Sequence, residues 1–112
     1  MGAIMGFVRA AVVAEIPPGT IREVNVDGKA VAIANVEGQF YAIDNVCMHR
    51  GGPLADGPFE GKTVMCPWHG WEYDVTTGKV GQNPTVGVAC YRVEVRGSDI
   101  FVDLAYLATD SL

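Results

Sequence analysis

A chain of 112 residues, 49% of them hydrophobic, has the length of one domain and enough apolar content to fold around a core without disulfide staples. Thirteen acidic against eight basic residues leave a net charge of −5 and a pI near 4.8, which argues against a phosphate-backbone partner and so against nucleic acid. Three cysteines cannot all pair, and two stand beside the chain's two histidines, so they read as cytoplasmic thiols or metal ligands rather than a disulfide framework.

The opening MGAIMGFVRAAVVAE is apolar, but it lacks a basic start, carries Arg9 within the apolar run and is too short to span a bilayer; it reads as a first strand from about Phe7. After the turn PPGT, the runs IREVNV and KAVAIANV flank Asp27-Gly28 and predict a hairpin. In the second run Val31, Ile33 and Asn35 share one face and small alanines the other. Further strands are expected at QFYAID (39–44), KTVMC (62–66) and WEYDV (71–75), with ACYRVEVRGSDIFVDL as a terminal hairpin. No segment has a long helical period. The expectation is therefore an all-β fold, an antiparallel sandwich or small barrel of about eight to ten short strands. A single domain over 1–112 is expected, its core at about 7–104, with a tail at 105–112 that is either a helical turn or frayed.

Two stretches carry chemistry: CMHRGGPLADG from Cys47 and CPWHGWEYD from Cys66. Each falls where a strand gives way to a loop. Cys47 and His49 are one residue apart, Cys66 and His69 two, with 16 residues between the motifs, and both histidines of the chain are used. A metal centre, a cysteine nucleophile with its base, and buried residues of no special role all remain open at this point. Gly51, Gly52, Pro53, Pro67 and Gly70 suit tight loops whose amides can turn toward sulfur. Two cysteines and two histidines also suit tetrahedral zinc, although a zinc finger groups like with like, whereas each loop here offers one of each kind.

The pattern resembles the Rieske iron-sulfur proteins, which hold a two-iron, two-sulfide cluster through Cys-x-His and Cys-x2-His loops. The resemblance runs from about Phe7 to Leu104 through GQFYAIDNVCMHRGGPLADG, GKTVMCPWHGWEYDVTTGKV and YRVEVRGSDIFVD. It implies a Rieske-type fold with two cluster-binding hairpin loops and one 2Fe-2S cluster, with Cys47 and Cys66 on the inner iron and His49 and His69 on the outer. Pro84, in GQNPTVG, takes the place of the third covering loop, or is a turn before the last hairpin. Tyr73 matches the family position for a hydroxyl near a ligating sulfur, against a plain core tyrosine. Met48, Arg50, Gly51, Leu54, Trp68, Gly70 and Trp71 complete the expected cluster surroundings.

Departures within the family are informative. Rieske subunits of quinol-oxidising complexes resemble CTHLGC and CPCHGS, with a disulfide between the loops; Gly52 and Trp68 occupy those positions here, and Trp71 replaces a serine that donates to a bridging sulfur. Fewer donors leave the reduced cluster less stabilised, so the potential is expected near the low end of the Rieske span, about −150 mV. Larger Rieske oxygenases react at a second iron held by two histidines and a carboxylate, and no histidine remains here to build one.

The resemblance therefore implies a soluble, low-potential, oxygenase-associated ferredoxin, not an enzyme itself. It would pass electrons from a flavin-containing reductase to a terminal oxygenase or other redox enzyme. A small Rieske subunit of a larger oxidoreductase such as a nitrite reductase is the alternative, and a zinc-stabilised interaction module the third reading. Docking is expected through His49, His69 and an apolar rim of Met48, Leu54, Pro67, Trp68 and Pro84, with core packing the competing account of Trp68. The potential is expected to fall as pH rises through the histidine pKa values. Cys90 is expected to be no ligand, and to share a strand face with Arg92 and Glu94 unless a bulge intervenes. Arg50 reads as a solvated arginine that pairs with an acid or steers a partner.

Overall fold

In a computed structural model of the chain, the described residues are 6–48, 51–68, 70–81 and 83–107. The first five residues, His49, Arg50, His69, Gln82 and the last five residues lie outside them, as do the side chains of Asn83, Pro84 and 105–107. Among the described residues eleven strands run antiparallel: β1 Phe7–Val12, β2 Ile21–Val26, β3 Lys29–Val36, β4 Gln39–Asp44, β5 Phe59–Glu60, β6 Thr63–Met65, β7 Glu72–Asp74, β8 Lys79–Val80, β9 Asn83–Gly87, β10 Cys90–Arg96 and β11 Asp99–Leu107. Two 3-10 turns, Val13–Glu15 and Leu54–Asp56, are the helical content of the described residues.

The strands form a six-stranded sheet, β1-β11-β10-β4-β3-β2, and a five-stranded sheet, β5-β6-β7-β8-β9. In the first sheet the edge strands β1 and β2 come back against each other, so that it nearly closes. Local chemistry sets its hairpins. Asp27 and Gly28, with φ of 55° and 88°, and Glu37 and Gly38, with 54° and 93°, occupy the left-handed region expected of type I′ turns. Each turn is braced by an asparagine: Asn25 Oδ1 accepts from Gly28 N at 2.9 Å, and Asn35 Oδ1 from Gly38 N at 2.7 Å.

Strand β3 explains why its sequence alternates large and small residues. Val31 and Ile33 enter one core, with Ile16, Val26, Tyr91, Ile100 and Val102; Ala32 and Ala34 enter a second, with Ile43, Leu54, Val64, Tyr73 and Val75. Both faces are buried because the curled sheet holds the first core inside it and packs the outer side of β3 and β4 against the small sheet. Each fully buried Val, Leu or Ile contributes roughly 1.5–3 kcal/mol of apolar transfer. Small residues on the outer face leave room for what the second core contains, including Cys47, Cys66 and Cys90.

Three expectations change at this level. Pro84 lies in the edge strand β9 rather than in a covering loop or turn, a position open to proline because an edge strand leaves part of its ladder unpaired. Leu54, expected on an exposed rim, is fully buried because the 3-10 turn folds it beneath the loops. Strand β11 runs on to Leu107, and the pairing of β10 with it slips between Tyr91 and Arg92, so the bulge allowed for near Cys90 is present. Cys90 is buried while Arg92 and Glu94 are exposed.

Candidate metal centre

Two loops at one end of the second core share a frame that the sequence spacing hides. Loop 1, residues 47–52, is closed by the bridge between Val46 and Pro53; loop 2, residues 66–71, is closed by the pair Met65 and Glu72. In each, the cysteine amide donates to the carbonyl of the last loop residue: Cys47 N to Gly52 O at 2.9 Å, and Cys66 N to Trp71 O at 2.8 Å. The glycine four residues on donates back to the cysteine carbonyl, Gly51 N to Cys47 O at 2.7 Å and Gly70 N to Cys66 O at 3.0 Å. These glycines have φ of +77° and +80°, a conformation that a side chain would strain. Both chains of contacts place a cysteine first in a six-residue loop, with its thiol directed into the core.

Loop 1 is tied down further by Asn45, nearly buried at the end of β4. Its side chain accepts from Ala55 N at 2.7 Å, its carbonyl accepts from Leu54 N at 2.7 Å, and its amide donates to Ala30 O at 3.1 Å. Loop 2 abuts Gly57, where a Cβ would run into the Met65 carbonyl oxygen. Neither asparagine nor glycine stood out in the sequence as part of the site.

Cys47 and Cys66 are each 1% exposed and belong to the same cluster of buried residues, and none of the three cysteines is in a disulfide. Tyr73, fully buried on β7, sets its hydroxyl 3.1 Å from Cys47 Sγ and accepts from Met48 N at 3.3 Å. Burial, and then the hydrogen bond to Cys47, hold the phenol above the usual tyrosine range, so it keeps a proton that it can donate to the sulfur. Gly52 faces the other thiol: a Cβ built there would lie 2.8 Å from Cys66 Sγ and 3.1 Å from Trp68 Cγ and Cδ2. Positions 52 and 68, the disulfide positions of the quinol-oxidising relatives, thus face each other across the loops.

Among the described residues, the exposed side chains around this pair are largely apolar. Of the four exposed large hydrophobic residues among the described ones, Val46 (51%), Met48 (54%) and Trp68 (57%) ring the loops, and Pro67 beside them is also exposed. Val46 was missed as a rim residue; its place just before the cysteine gives no sequence signal of exposure. Core packing does not describe Trp68, whereas Trp71 packs against the second core. A groove of about 590 Å³ leads from Val46 and Met48 to the ion pair of Lys29 and Asp44, 3.4 Å apart. Cys90 stands apart from the two loops: its thiol hydrogen bonds to Thr76 O at 3.7 Å, and burial with the nearby Asp74 charge pushes its pKa up to about 11.

The described half of the donor set fits the thiolate side of a two-iron cluster. Two buried thiols arrive on rigid, matching loops, a phenol already points at one sulfur, and bulk is excluded beside the other by a glycine. His49, Arg50 and His69 lie outside the described residues.

Comparison with known proteins bears on the same loops. The family described as the Rieske [2Fe-2S] domain matches residues 6–92. The ferredoxin component of the naphthalene 1,2-dioxygenase system of Pseudomonas aeruginosa is 37% identical over 100 residues, covering 88% of this chain and 96% of the relative. Among solved structures, the ferredoxin of carbazole 1,9a-dioxygenase from Nocardioides aromaticivorans superposes with a TM-score of 0.79 at 32% identity, over 87% of this chain and 96% of that one. A chain in a complex of reduced oxygenase and oxidised ferredoxin of carbazole 1,9a-dioxygenase matches with a TM-score of 0.79 at 31% identity, over 88% of this chain and 93% of that one. The chain belongs to the Rieske [2Fe-2S] family, and its role is to carry electrons on one such cluster rather than to catalyse a reaction itself.

Proposed function

We propose that this chain is the ferredoxin of a multicomponent oxygenase system, taking one electron at a time from a flavin-containing reductase and giving it to a terminal oxygenase. Cys47 and Cys66 are the thiolate ligands of one iron in this reading, and His49 and His69 the imidazole ligands of the other. The single observation that carries it is the pair of buried thiols on loops of identical backbone frame. When bound, the cluster supplies a one-electron store with no open coordination position. The residues of the chain do the rest. Tyr73 donates to one sulfur, the glycines let the loops close, and the buried cysteines keep water from the metal.

Delivery is assigned to the apolar crown of Val46, Met48, Pro67 and Trp68, which offers a partner a small area to dehydrate next to the cluster. The relatives named as dioxygenase ferredoxins, and the solved oxygenase complex, support the oxygenase as acceptor. No helix among the described residues is long and apolar enough to cross a membrane. A cytoplasmic location accords with three cysteines that form no disulfide.

The test has two arms. Cys47→Ser, Cys66→Ser, His49→Ala and His69→Ala should each lose the visible absorption and the low-average-g EPR signal of the reduced protein, while Cys90→Ser keeps both. Reduced protein mixed anaerobically with an oxidised Rieske terminal oxygenase should pass on one electron per chain. Retention of the signal in any of the four ligand variants would sink the assignment, and a stably reduced carrier in the mixture would sink the acceptor.

A further inference from the structure

Gly52 demands an explanation that Gly51 does not. Gly51 needs its positive φ, but Gly52 lies outside the left-handed region, so what excludes a side chain there is space. The space is taken by two groups of the other loop, Cys66 Sγ and the Trp68 indole, at 2.8 and 3.1 Å from where a Cβ would stand. Trp68 is 57% exposed, whereas Cys66 beneath it is 1% exposed. An indole with one face on a glycine and the other in water is a cover.

We propose that Trp68 is a positioning residue that clasps loop 2 to loop 1 over Gly52, closing the path from solvent to Cys66 Sγ and so governing how long the cluster is retained. The protection is reciprocal. Tyr73, from the strand after loop 2, guards the thiol of loop 1, and the last residue of loop 1 lies against the thiol of loop 2 under the Trp68 ring. Tyr73 is fully buried and cannot swing away without opening the core. Trp68 can, which makes the Cys66 side the weaker of the two guards. This inference rests on Cys66 as a ligand, as proposed above.

The experiment follows the visible absorption of the cluster-loaded chain challenged with a ferrous-iron chelator, together with the midpoint potential. Trp68→Ala should fold and load normally but lose its cluster at least fivefold faster than wild type, and its potential should rise as water reaches the more negative reduced site. Trp68→Phe, which keeps a flat ring over Gly52, should stay within twofold of wild type at an unchanged potential. Gly52→Ala should accelerate loss as Trp68→Ala does, because the added methyl must displace the thiol or the ring. If Trp68→Ala keeps its cluster as long as wild type, at the same potential, the clasp is overturned. Should Trp68→Ala purify without cluster, Trp68→Phe decides: wild-type retention upholds the clasp, and rapid loss overturns it. A Cys66→Ser chain that keeps its cluster would instead show that the ligand assignment has failed.

Discussion

Replacing Tyr73 with Phe removes one hydroxyl and leaves the ring, and hence the packing of a fully buried residue, in place. The hydroxyl lies 3.1 Å from Cys47 Sγ and 3.3 Å from Met48 N, so two hydrogen bonds are lost. A hydrogen bond to a charged acceptor has a net worth of about 1.5–3 kcal/mol. Only the part that grows when the cluster gains an electron appears in the potential. If that part is about half, it is roughly 0.75–1.5 kcal/mol, or about 30–65 mV for a one-electron couple. The sign follows from the direction of donation: the donor favours the more negative, reduced site, so its loss should lower the potential. The folding cost should stay near about 1 kcal/mol, because Met48 is exposed and water can take its amide. Protein-film voltammetry at neutral pH reads the shift directly. A potential that is unchanged or higher in Tyr73→Phe would refute the view that this hydroxyl donates to a cluster-bound sulfur.

Gly70→Ala, at φ +80°, should cost about 1–2 kcal/mol and lower the iron bound per chain, measured by denaturation and iron assay. Gly57→Ala should cost at least about 3 kcal/mol, because its methyl meets the Met65 carbonyl, whereas Gly61→Ala, at φ +64° and facing open space, should cost only about 1 kcal/mol in the same denaturation series. Cys90 keeps its proton in the fold, so its contribution to stability should be complete below pH 9.0 and lost as pH rises toward and through about 11. Denaturation midpoints of wild type should therefore fall more steeply than those of Cys90→Ser across that window, and parallel curves would contradict the raised pKa.

What was legible in the sequence follows from how local each signal is. Asp27-Gly28 marks its turn because two left-handed residues are needed within one hairpin, and the structure has both. The chemistry of the cysteine loops was legible because each loop stands in one short stretch. Depth was not. Leu54 and Val46 are both aliphatic residues beside a glycine-rich loop, yet one is fully buried and the other half exposed. The difference is made by the 3-10 turn and the Val46–Pro53 bridge, which depend on Asn45 and on the approach of β3. The placement of Pro84 in an edge strand likewise depends on a partner, β8, two residues long and almost without pattern of its own.

The common loop frame bears on why such a chain suits electron transfer. Cys47 and Cys66 are members of the second core alongside Val64, Tyr73 and Val75, not appendages to it. Moving either thiol means moving packed side chains whose interiors resist rearrangement. The spacing from cysteine to histidine differs by one residue between loops, but the cysteine-to-glycine frame does not. A carrier gains and loses a charge at every turnover, and dipoles fixed before the charge arrives need not reorganise when it does. In this fold the two thiols proposed to touch the metal are held by core packing on one side and closed hydrogen-bonded loops on the other. The adjustable element is left on the outside, in the exposed crown where partners come and go.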